Sequence, residues 1–410
     1  MPLTISPAEK RSASTNAKLL HAVKLLWINF SIFLSAVILL ELFALAYYAI
    51  RKAIWDPRDP IADWVNRIPA DAYADRAWLM AGFHEPDRLT ARWEPFSYFL
   101  HREFSGKYLN IDGSGLRRTW NPPPAPQPIK VFTFGGSTMW GMGARDEYTI
   151  ASWLSRMLAN SYPSQVQVTN YGKLSYVNTQ EMISLLRELQ SGHRPEIAVF
   201  YDGYNDTIAA YTNHQAGVSW NEFRRYAEFN LLNPARTGDL YREVLRRSNL
   251  YTLFYGISAK LGRVKPRPKL TPEQRQQLIN DVFKVYQANM HITEAVGDKE
   301  GFKSLFYWQP SPYTRADLNA FERSWLDDPE VNKMFSGMYT VVKRSPLMKE
   351  ASFHDISDVF RGEVGTLYVD YAHTTERGNE IIARRIYQDV MPLVKEQIAR
   401  RQSLGTLSGR

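Results

Sequence analysis

The stretch KVFTFGGST, residues 130–138, decides which fold we predict for this chain. Its apolar, β-prone residues end in Gly135 and Gly136, and Ser137 follows at once. Glycine permits close approaches that a Cβ atom would block, and a serine here would project from the carboxyl end of a strand, where open α/β sheets bind their ligands. Taken alone, Gly-Gly-Ser more often marks an ordinary strand-to-helix turn. The rest of the chain has to decide between the two interpretations.

Strand and helix patterns alternate after this stretch. Five apolar runs predict strands, in chain order Ile129–Phe134, Gln165–Tyr171, Glu196–Tyr201, Phe302–Trp308 and Thr366–Val369. The segments between the first of these runs carry apolar residues at helical spacing. Because strand–helix alternation implies right-handed crossovers, we predict a parallel sheet of about five strands with helices packed on it.

Two stretches break this rhythm and are predicted to be insertions, one at about 207–300 and one at 315–361. Within the first, the basic run at 263–269 predicts an exposed loop. The Thr-Pro-Glu-Gln sequence at 271–274 is a capping box with proline at the first helical position, so a helix should begin there. The second insertion is expected to be irregular to helical and to cover the site.

Composition excludes several classes of protein. The chain of 410 residues is long enough for one large domain or two ordinary ones. It contains no cysteine, which excludes disulfides, thiolate nucleophiles and Cys-based metal sites but does not separate cytosol from periplasm. The net charge of +8 favours anionic surroundings. No basic run is interleaved with aromatic residues, so we predict no nucleic-acid partner.

An apolar span precedes the body of the chain. Between Leu25 and Arg51 the only charged residue is Glu41, and the span exceeds the roughly 20 residues that a membrane-crossing helix needs. Its apolar core is too long for a cleavable signal peptide, so we predict an uncleaved anchor at 25–50 after a tail at 1–24. Glu41 is expected to reach the headgroups or a partner helix. Positive charges are nearly balanced on the two sides and leave the orientation open.

Domain boundaries follow from composition. Residues 51–128 are predicted to form a juxtamembrane segment that ends in the stiff, proline-rich connector Pro122–Pro128. The main body is predicted at 129–400, with a final amphipathic helix to about Ala399 and a tail at 401–410.

Four polar signals fall just after four of the predicted strands. They are Ser137, Asn170-Tyr171-Gly172, Gly203-Tyr204-Asn205-Asp206 and Asp370-Tyr371-Ala372-His373. The carboxyl ends of parallel strands converge on one edge of a sheet, so these residues are expected to share a crevice. The coincidence of four signals is more specific than any one of them.

The residue types suit acyl transfer. A serine hydroxyl is a poor nucleophile until a base takes its proton, and His373 is the best-placed imidazole for Ser137. Asp370, three residues earlier, can accept from the other ring nitrogen and stabilise the imidazolium. The N–H groups of Ser137 and Gly172 and the amide of Asn205 are candidate oxyanion donors.

Two further interpretations stay open at this point. Four side chains, Asp202, Asp206, Asp370 and His373, could instead form a hard-metal site, although that would leave the Gly-Gly-Ser turn unexplained. Trp140 and Tyr204 are candidate substrate-binding residues that could stack on sugar rings, as could Tyr171 and Tyr211, and core packing is the alternative for each of them.

These residues carry a family resemblance. The four blocks, in this order, resemble those of the SGNH (GDSL-like) hydrolase superfamily, and specifically its bacterial membrane-anchored branch with a Gly-Gly-Ser-Thr nucleophile block. The motifs cover about a dozen positions, and the body that they organise runs from Ile129 to the carboxyl end. Two features depart from the family pattern: the aspartate beside the serine is missing, and the insertions are long.

The resemblance implies a flavodoxin-like three-layer α/β/α sandwich without metal or organic cofactor. It implies Ser137 as nucleophile, His373 and Asp370 as the rest of the triad, and Ser137, Gly172 and Asn205 as oxyanion donors. It also implies a single-pass protein of the bacterial inner membrane with a cytoplasmic tail at 1–24 and a periplasmic catalytic domain.

The function predicted on this basis is that of a membrane-anchored serine esterase or acyl transferase. Its expected substrates are O-acyl groups, chiefly O-acetyl groups, of an envelope glycan or a related extracytoplasmic compound. Substrate choice is expected to lie in the two insertions. The alternatives are a catalytically degenerate glycan-binding or scaffold subunit and a lipid-directed acylhydrolase.

Overall fold

The computed structural model describes residues 7–55, 59–231, 245, 248–261 and 269–408. The helices are α1 (Pro7–Ile50), α2 (Pro60–Arg67), α3 (Leu79–His84), α4 (Ser137–Trp140), α5 (Ile150–Ser161), α6 (Asn178–Gln190), α7 (Tyr204–Asn213), α8 (Glu222–Leu231), α9 (Asn249–Lys260), α10 (Pro272–Glu300), α11 (Ala320–Arg323), α12 (Pro329–Arg344) and α13 (Glu376–Ser408). The strands are β1 (Ala91–Glu94), β2 (Tyr98–His101), β3 (Phe104–Ser105), β4 (Asn110–Ile111), β5 (Ile129–Gly135), β6 (Val166–Asn170), β7 (Ile197–Asp202), β8 (Lys303–Trp308) and β9 (Phe353–Asp355).

The chain divides into two compact units. The first comprises Met1–Arg58 and Tyr226–Pro268, and the second comprises Asp59–Arg225 and Lys269–Arg410. Except for Lys269, the predicted basic loop lies outside the described residues.

Helix α1 dominates the first unit. A stretch at Lys18–Ile54 is long and apolar enough to cross a membrane by length and composition, and an 18-residue window within it has a mean hydropathy of 2.2. The helix begins at Pro7, inside the segment predicted as a tail, and a short π-helix at Arg51–Trp55 follows it. The predicted anchor is therefore part of a longer helix.

A five-stranded parallel sheet organises the second unit. Its strand order is β6-β5-β7-β8-β9, so the strands run 2-1-3-4-5 in order of sequence. That is the flavodoxin-like order, in which the chain reverses its direction of travel beside the first strand. The predicted parallel sheet and fold class are confirmed.

Both faces of the sheet are covered by helices. On one face Phe134, Phe200 and Phe306 stack with neighbouring ring centroids 4.9 Å apart, and the cluster includes residues of α6, α7, α10 and α12. On the other face Val131 and Val199 pack with α5 and α13. Alternate residues of a strand point to opposite faces, so apolar residues throughout β5 and β7 supply both cores.

The fifth strand is not the one predicted. It is Phe353–Asp355, whereas Thr366–Val369 forms only an isolated bridge between Tyr368 and Thr374. The N–H groups of Leu367 and Tyr368 both donate to Oε1 of Glu322, at 2.9 and 3.0 Å. A buried carboxylate thus takes the place of a neighbouring strand.

The predicted insertions are only partly insertions. Helix α10 is the crossover between β7 and β8, and its residues Leu278, Val282 and Met290 are buried in the core. Helix α12 buries Met334, Met338 and Val342 in the same core. Both helices therefore belong to the sandwich, since each buries its apolar face against the sheet. The capping box at 271–274 is confirmed, since Thr271 and Gln274 exchange hydrogen bonds.

The boundaries at the two ends of the body also differ from those predicted. Helix α13 continues to Ser408, through the segment predicted as a tail, and carries Pro392 inside it. Residues 59–121 belong to the same compact unit as the sheet. Within this segment the indole N–H of Trp64 donates to the carbonyl of Val369 at 2.9 Å, next to the last motif block. The proline-rich stretch therefore does not separate two units.

Candidate active site

Ser137 lies at the point where β5 turns into α4. Gly135 is the last residue of β5 and Ser137 is the first residue of the short helix. A Cβ atom on Gly136 would collide with Nδ2 of Asn205, and one on Gly135 would lie 2.5 Å from Cβ of Met139. The two glycines therefore let the turn approach its neighbours closely. The hydroxyl-bearing residue itself is partly exposed.

Ser137, His373 and Asp370 form a continuous hydrogen-bonded chain. Nε2 of His373 lies 2.7 Å from Oγ of Ser137. Nδ1 of the same ring lies 2.6 Å from Oδ2 of Asp370. A base within hydrogen-bonding reach of the serine, itself oriented by a carboxylate, is the arrangement that activates a hydroxyl nucleophile.

Both carboxylate oxygens of Asp370 make hydrogen bonds that fix its position. Its Oδ1 accepts from the N–H groups of Ala372 and His373 at 2.8 and 2.7 Å, while Oδ2 faces the imidazole. Burial by itself would raise the pKa of Asp370, but the charge of His373 and these hydrogen bonds outweigh it and lower the pKa below its usual value. The carboxylate is therefore ionised and able to stabilise an imidazolium.

The structure brings the predicted oxyanion donors to the same edge of the sheet. Ser137 is the first residue of α4, so its N–H has no acceptor within the helix. Asn205 lies in the first turn of α7, and its amide nitrogen donates one hydrogen to the carbonyl of Tyr176 at 2.7 Å. Its second amide hydrogen has no acceptor among the described residues and can be donated to a ligand.

Gly172 is placed differently from the other two donors. Its N–H donates to Oδ1 of Asn170 at 2.9 Å, while the Asn170 amide donates to the carbonyl of Met139 at 2.9 Å. A Cβ on Gly172 would lie 2.5 Å from the backbone nitrogen of Trp140. Gly172 thus packs against α4, with its N–H occupied by a neighbouring side chain in this structure.

One group that positions the nucleophile turn was not predicted. The guanidinium of Arg117 donates to the carbonyls of Trp140, Gly141 and Ala144 at 3.2, 2.6 and 2.6 Å, and its Nε lies 2.9 Å from Asp146. Its side chain is only 1% exposed. Burial lowers the pKa of Arg117 and raises that of Asp146, although each charge acts against these shifts. Nothing in the sequence links Arg117 to a loop that begins more than twenty residues later.

A second group, of buried carboxyls, includes the last residue of the third motif block, and its member Glu181 was not predicted. Glu181, Asp202 and Asp206 are buried together, and no salt bridge joins them to a basic side chain in the described part of the chain. Asn178 donates its N–H to Asp206 at 3.0 Å and its amide to Asp202 at 2.9 Å. Asp206 also accepts from the N–H of Gly203 at 3.3 Å and so holds the start of α7, which carries Asn205.

The surroundings of this group raise the pKa values of its carboxyls. Burial raises the pKa of Glu181 well above its usual value, and the neighbouring carboxylates raise it further. Burial likewise raises the pKa values of Asp202 and Asp206, although hydrogen bonds act in the opposite direction. At least one carboxyl is expected to carry a proton at neutral pH.

The two candidate substrate-binding residues, Trp140 and Tyr204, are buried. Trp140 is 0% exposed and lies under Arg117, and Tyr204 is 5% exposed and packs against Phe335 with ring centroids 4.8 Å apart. Neither ring presents a free face to a substrate, so the core-packing alternative describes them. The exposed aromatic residue next to the triad is Tyr371, 38% exposed, whose ring centroid lies 6.3 Å from that of His373.

The metal-site alternative does not match this geometry. Asp370 and His373 bond to each other, whereas Asp202 and Asp206 bond to Asn178. Over the described ranges, the group of acidic and histidine side chains spaced for a metal ion is a different one, His291, Glu294 and Glu350. The four residues therefore do not form one cation-binding group.

Comparisons with known proteins find similar solved structures, all at low sequence identity. No family model matches the chain, and no curated protein matches it. It is similar to the solved structure of a protein assigned to the lipolytic G-D-S-L family from Desulfitobacterium hafniense DCB-2, with 12% identity, coverage of 64% of this chain and 99% of that chain, and a TM-score of 0.35.

Two further solved structures are similar to the same extent. For the lipase Lip_vut3 from a goat rumen metagenome the values are 10% identity, 64% and 97% coverage and a TM-score of 0.37. For the acetylxylan esterase Axe2 from Geobacillus stearothermophilus they are 13% identity, 64% and 94% coverage and a TM-score of 0.36. In its four motif blocks, its strand order and the grouping of Ser137, His373 and Asp370, the chain resembles the SGNH (GDSL-like) hydrolases.

Proposed function

We propose that this protein is a membrane-anchored serine esterase or O-acyltransferase that forms an acyl-enzyme on Ser137. The observation that carries the proposal is the hydrogen-bonded chain from Asp370 through His373 to Ser137. It lies at the carboxyl end of β5, beside the point where the strand order of the sheet reverses, which is where α/β sheets of this kind bind ligands.

The first half of the reaction acylates the serine. His373 takes the hydroxyl proton as Oγ of Ser137 attacks the ester carbonyl, and the charge on the resulting oxyanion is stabilised by the N–H of Ser137 and the amide of Asn205. Asp370 stabilises the imidazolium. The C–O bond of the ester then breaks, and the proton on His373 passes to the leaving alkoxide.

The second half returns the enzyme to its starting state. A water molecule or an acceptor hydroxyl gives its proton to His373 as its oxygen attacks the acyl-enzyme, and the proton returns to Ser137 when the new product leaves. Hydrolysis and transfer thus use the same groups. They differ only in which hydroxyl reaches the acyl carbon.

We propose O-acyl groups, chiefly O-acetyl groups, of an extracytoplasmic glycan as the substrate class. The apolar span of α1 supports anchorage to a membrane. We place the body of the chain in the periplasm, beside the bacterial inner membrane, because of the family resemblance. Tyr371 supplies an exposed aromatic ring beside His373, and Trp325 packs edge-on against it with ring centroids 6.3 Å apart. Aromatic rings of this kind are suited to contact a sugar ring.

The test is turnover of aryl esters, from acetyl to long-chain acyl, by the full chain in nanodiscs with and without a glycan acceptor. We expect acetyl esters to be the best substrates and Ser137→Ala to abolish turnover. The matched control is Ser336→Ala, since Ser336 is exposed on α12. Equal turnover by Ser137→Ala would contradict the proposal, and a preference for long chains would point to a lipid-directed acylhydrolase.

A further inference from the structure

Lys173 is a buried lysine that has no carboxylate partner. It follows Gly172 in the loop after β6, and only 3% of it is exposed. Its Nζ donates to the carbonyl of Gly115, and no acidic side chain in the described part of the chain forms an ion pair with it. An ammonium group has three hydrogens, so two of them have no acceptor among the described residues. Burial of an ammonium without a countercharge costs free energy, which a ligand of opposite charge would offset.

Lys173 lines a cavity of about 180 Å³. The loop after β6 and helix α6 form one side of this cavity, and the segment at 94–116 forms the other, where Leu100 and Leu116 supply apolar surface. The volume is below the roughly 300–1,000 Å³ of sites for drug-sized ligands. The cavity therefore suits a group no larger than about one sugar unit.

The other charged groups of the lining are already paired. Arg187 lies 2.6 Å from Oε1 of Glu94. Glu188 lies 2.8 Å from Nδ1 of His193, a side chain that is 65% exposed. Among the described residues, Lys173 is thus the charged group of the lining that lacks a partner of opposite charge. The cavity lacks one negative charge.

The cavity adjoins the candidate active site through the loop after β6. Tyr176, which lines the cavity, accepts from the amide of Asn205 with its carbonyl at 2.7 Å. Lys173 donates its backbone N–H to the carbonyl of Gly135 at 3.0 Å, two residues before Ser137. The loop that carries the unpaired ammonium therefore also holds a candidate oxyanion donor.

We propose that this cavity binds a carboxylate-bearing sugar, with the ammonium of Lys173 as its counter-ion. A carboxylate offers two acceptor oxygens to the remaining ammonium hydrogens. Ser97 and Ser184 line the same cavity and supply hydroxyl groups that can accept from sugar hydroxyls. We place this acidic sugar in the glycan chain whose neighbouring unit carries the acyl group, a step that rests on the proposed function. Part of the substrate choice then lies at 94–116, before the sheet.

Binding by the full chain in nanodiscs tests the site without catalysis. Methyl α-D-galacturonide and methyl α-D-galactoside differ in charge at one carbon atom and are compared by ligand-observed NMR titration. We expect the galacturonide to bind at least about tenfold more tightly, because charge-assisted hydrogen bonds are the stronger ones. Lys173→Met should remove this preference, and Lys303→Met, at a lysine 61% exposed, should keep it. Equal binding of both sugars, or tighter binding of inorganic phosphate than of the galacturonide, would overturn the proposal.

The surroundings of Lys173 predict a pH dependence of this binding. Burial lowers the pKa of Lys173 to about 7, although the charge of Asp112 acts in the opposite direction. Burial and the charge of Lys173 lower the pKa of His101 to about 4, so this imidazole is neutral from pH 6 upward. Burial raises the pKa values of Tyr171 and Tyr176, so both phenols stay neutral. The charged and titratable side chains near Lys173 are Arg92, Glu94, His101, Asp112, Arg187, Glu188 and His193.

The affinity of the unchanged chain for the galacturonide should fall about tenfold from pH 6 to pH 8, because the ammonium form is lost on either side of a pKa of about 7. Lys173→Met should abolish this slope, whereas His193→Ala should keep it. A pH-independent affinity, an unchanged slope in Lys173→Met or a lost slope in His193→Ala would contradict the proposal. A loss of structure alone would not produce this pattern, and Tm shows whether Lys173→Met is folded.

Kinetics test whether the bound sugar belongs to the substrate. The measurement compares an O-acetylated oligogalacturonide with its carboxyl-reduced counterpart. We expect Lys173→Met to raise KM at least severalfold more for the acidic substrate than for the neutral one. Equal changes in KM would show that the acidic sugar is not part of the substrate and would overturn that step. Binding that depends on Lys173 without turnover of any ester would contradict the proposed function and leave the site intact.

Discussion

The imidazole of His373 lies 2.7 Å from the hydroxyl of Ser137, although 236 positions separate the two residues. Two loops at the same edge of the sheet create this contact, one after β5 and one before α13. Removing the base should therefore remove the chemistry. We expect His373→Ala to lower kcat for aryl acetates on the order of 10⁴-fold or more. The control is His193→Ala, since His193 is 65% exposed and its partner among the described residues is Glu188. Comparable losses in both variants would contradict the assignment.

The amide of Asn205 is the side-chain donor that we assign to the oxyanion. Asn205→Ala should lower kcat by about 10²–10³-fold and change KM little, because the hydrogen bond is made mainly in the transition state. The control is Asn160→Ala, at an exposed position on α5, which should leave both kcat and KM unchanged. A rise in KM without a fall in kcat would show that Asn205 binds the ground state instead.

The Arg117–Asp146 pair should be essential for the fold of the nucleophile turn. Arg117→Met leaves the Asp146 carboxylate buried and three backbone carbonyls without donors, and breaking a buried pair costs about 3–5 kcal/mol. We expect a clear fall in Tm together with lost activity. Arg118→Met is the matched control, since the neighbouring Arg118 is exposed. Similar Tm values for the two variants would rule out this role.

The three buried carboxyls, Glu181, Asp202 and Asp206, should make the free energy of unfolding decrease as pH rises. Burial, first of all, raises the pKa values of Glu181, Asp202 and Asp206 in the folded chain. At pH values above about 4, the ordinary pKa of a carboxyl, the folded state then holds more protons than the unfolded state. The free energy of unfolding therefore decreases as pH rises toward and through the raised pKa values. The stabilising protonation is complete below that range.

Glu181→Gln tests this by removing one of the groups that hold the extra protons. The measurement is Tm from mildly acidic to mildly alkaline pH, and we expect the variant to have a flatter slope than the unchanged chain. The control is Glu147→Gln, at a side chain 53% exposed. Parallel slopes for all three proteins would refute the link between this group and stability.

Tyr371 should act on substrate binding more than on chemistry. Tyr371→Ala is expected to raise KM for an acetylated oligosaccharide by about two- to tenfold, the range of a single aromatic contact, with a smaller effect for aryl acetates. Tyr371→Phe keeps the ring and should restore most of the affinity. Equal effects on both kinds of substrate would indicate that Tyr371 supports the loop rather than the sugar.

Much of the sheet could be predicted because its strands are buried on both faces. Continuous apolar runs such as Glu196–Tyr201 have few interpretations other than a central parallel strand, and the motif blocks follow those runs directly. The order of the strands then brings the blocks together. The fifth strand escaped prediction because Phe353–Asp355 is only three residues long. The run predicted in its place, Thr366–Val369, pairs with a side chain of α11.

The supporting groups of the site could not be predicted because their partners are remote in sequence. Arg117 precedes the carbonyls that it holds by more than twenty residues, and 58 positions separate Lys173 from Gly115. The sequence also did not show which aromatic residues near the site are buried. Trp140 follows the first motif block and Tyr204 lies inside the third, but both rings fill the core. Tyr371, inside a motif block, is the ring that faces solvent.

The central claim is that His373 activates Ser137 as a nucleophile. A fluorophosphonate probe reacts with such a serine, and intact-mass and peptide mass spectrometry locate the adduct. We predict one adduct on Ser137 in the full chain, none in Ser137→Ala and strongly slowed labelling in His373→Ala. Absence of an adduct on Ser137 in the full chain, or equally fast labelling in His373→Ala, would contradict the account.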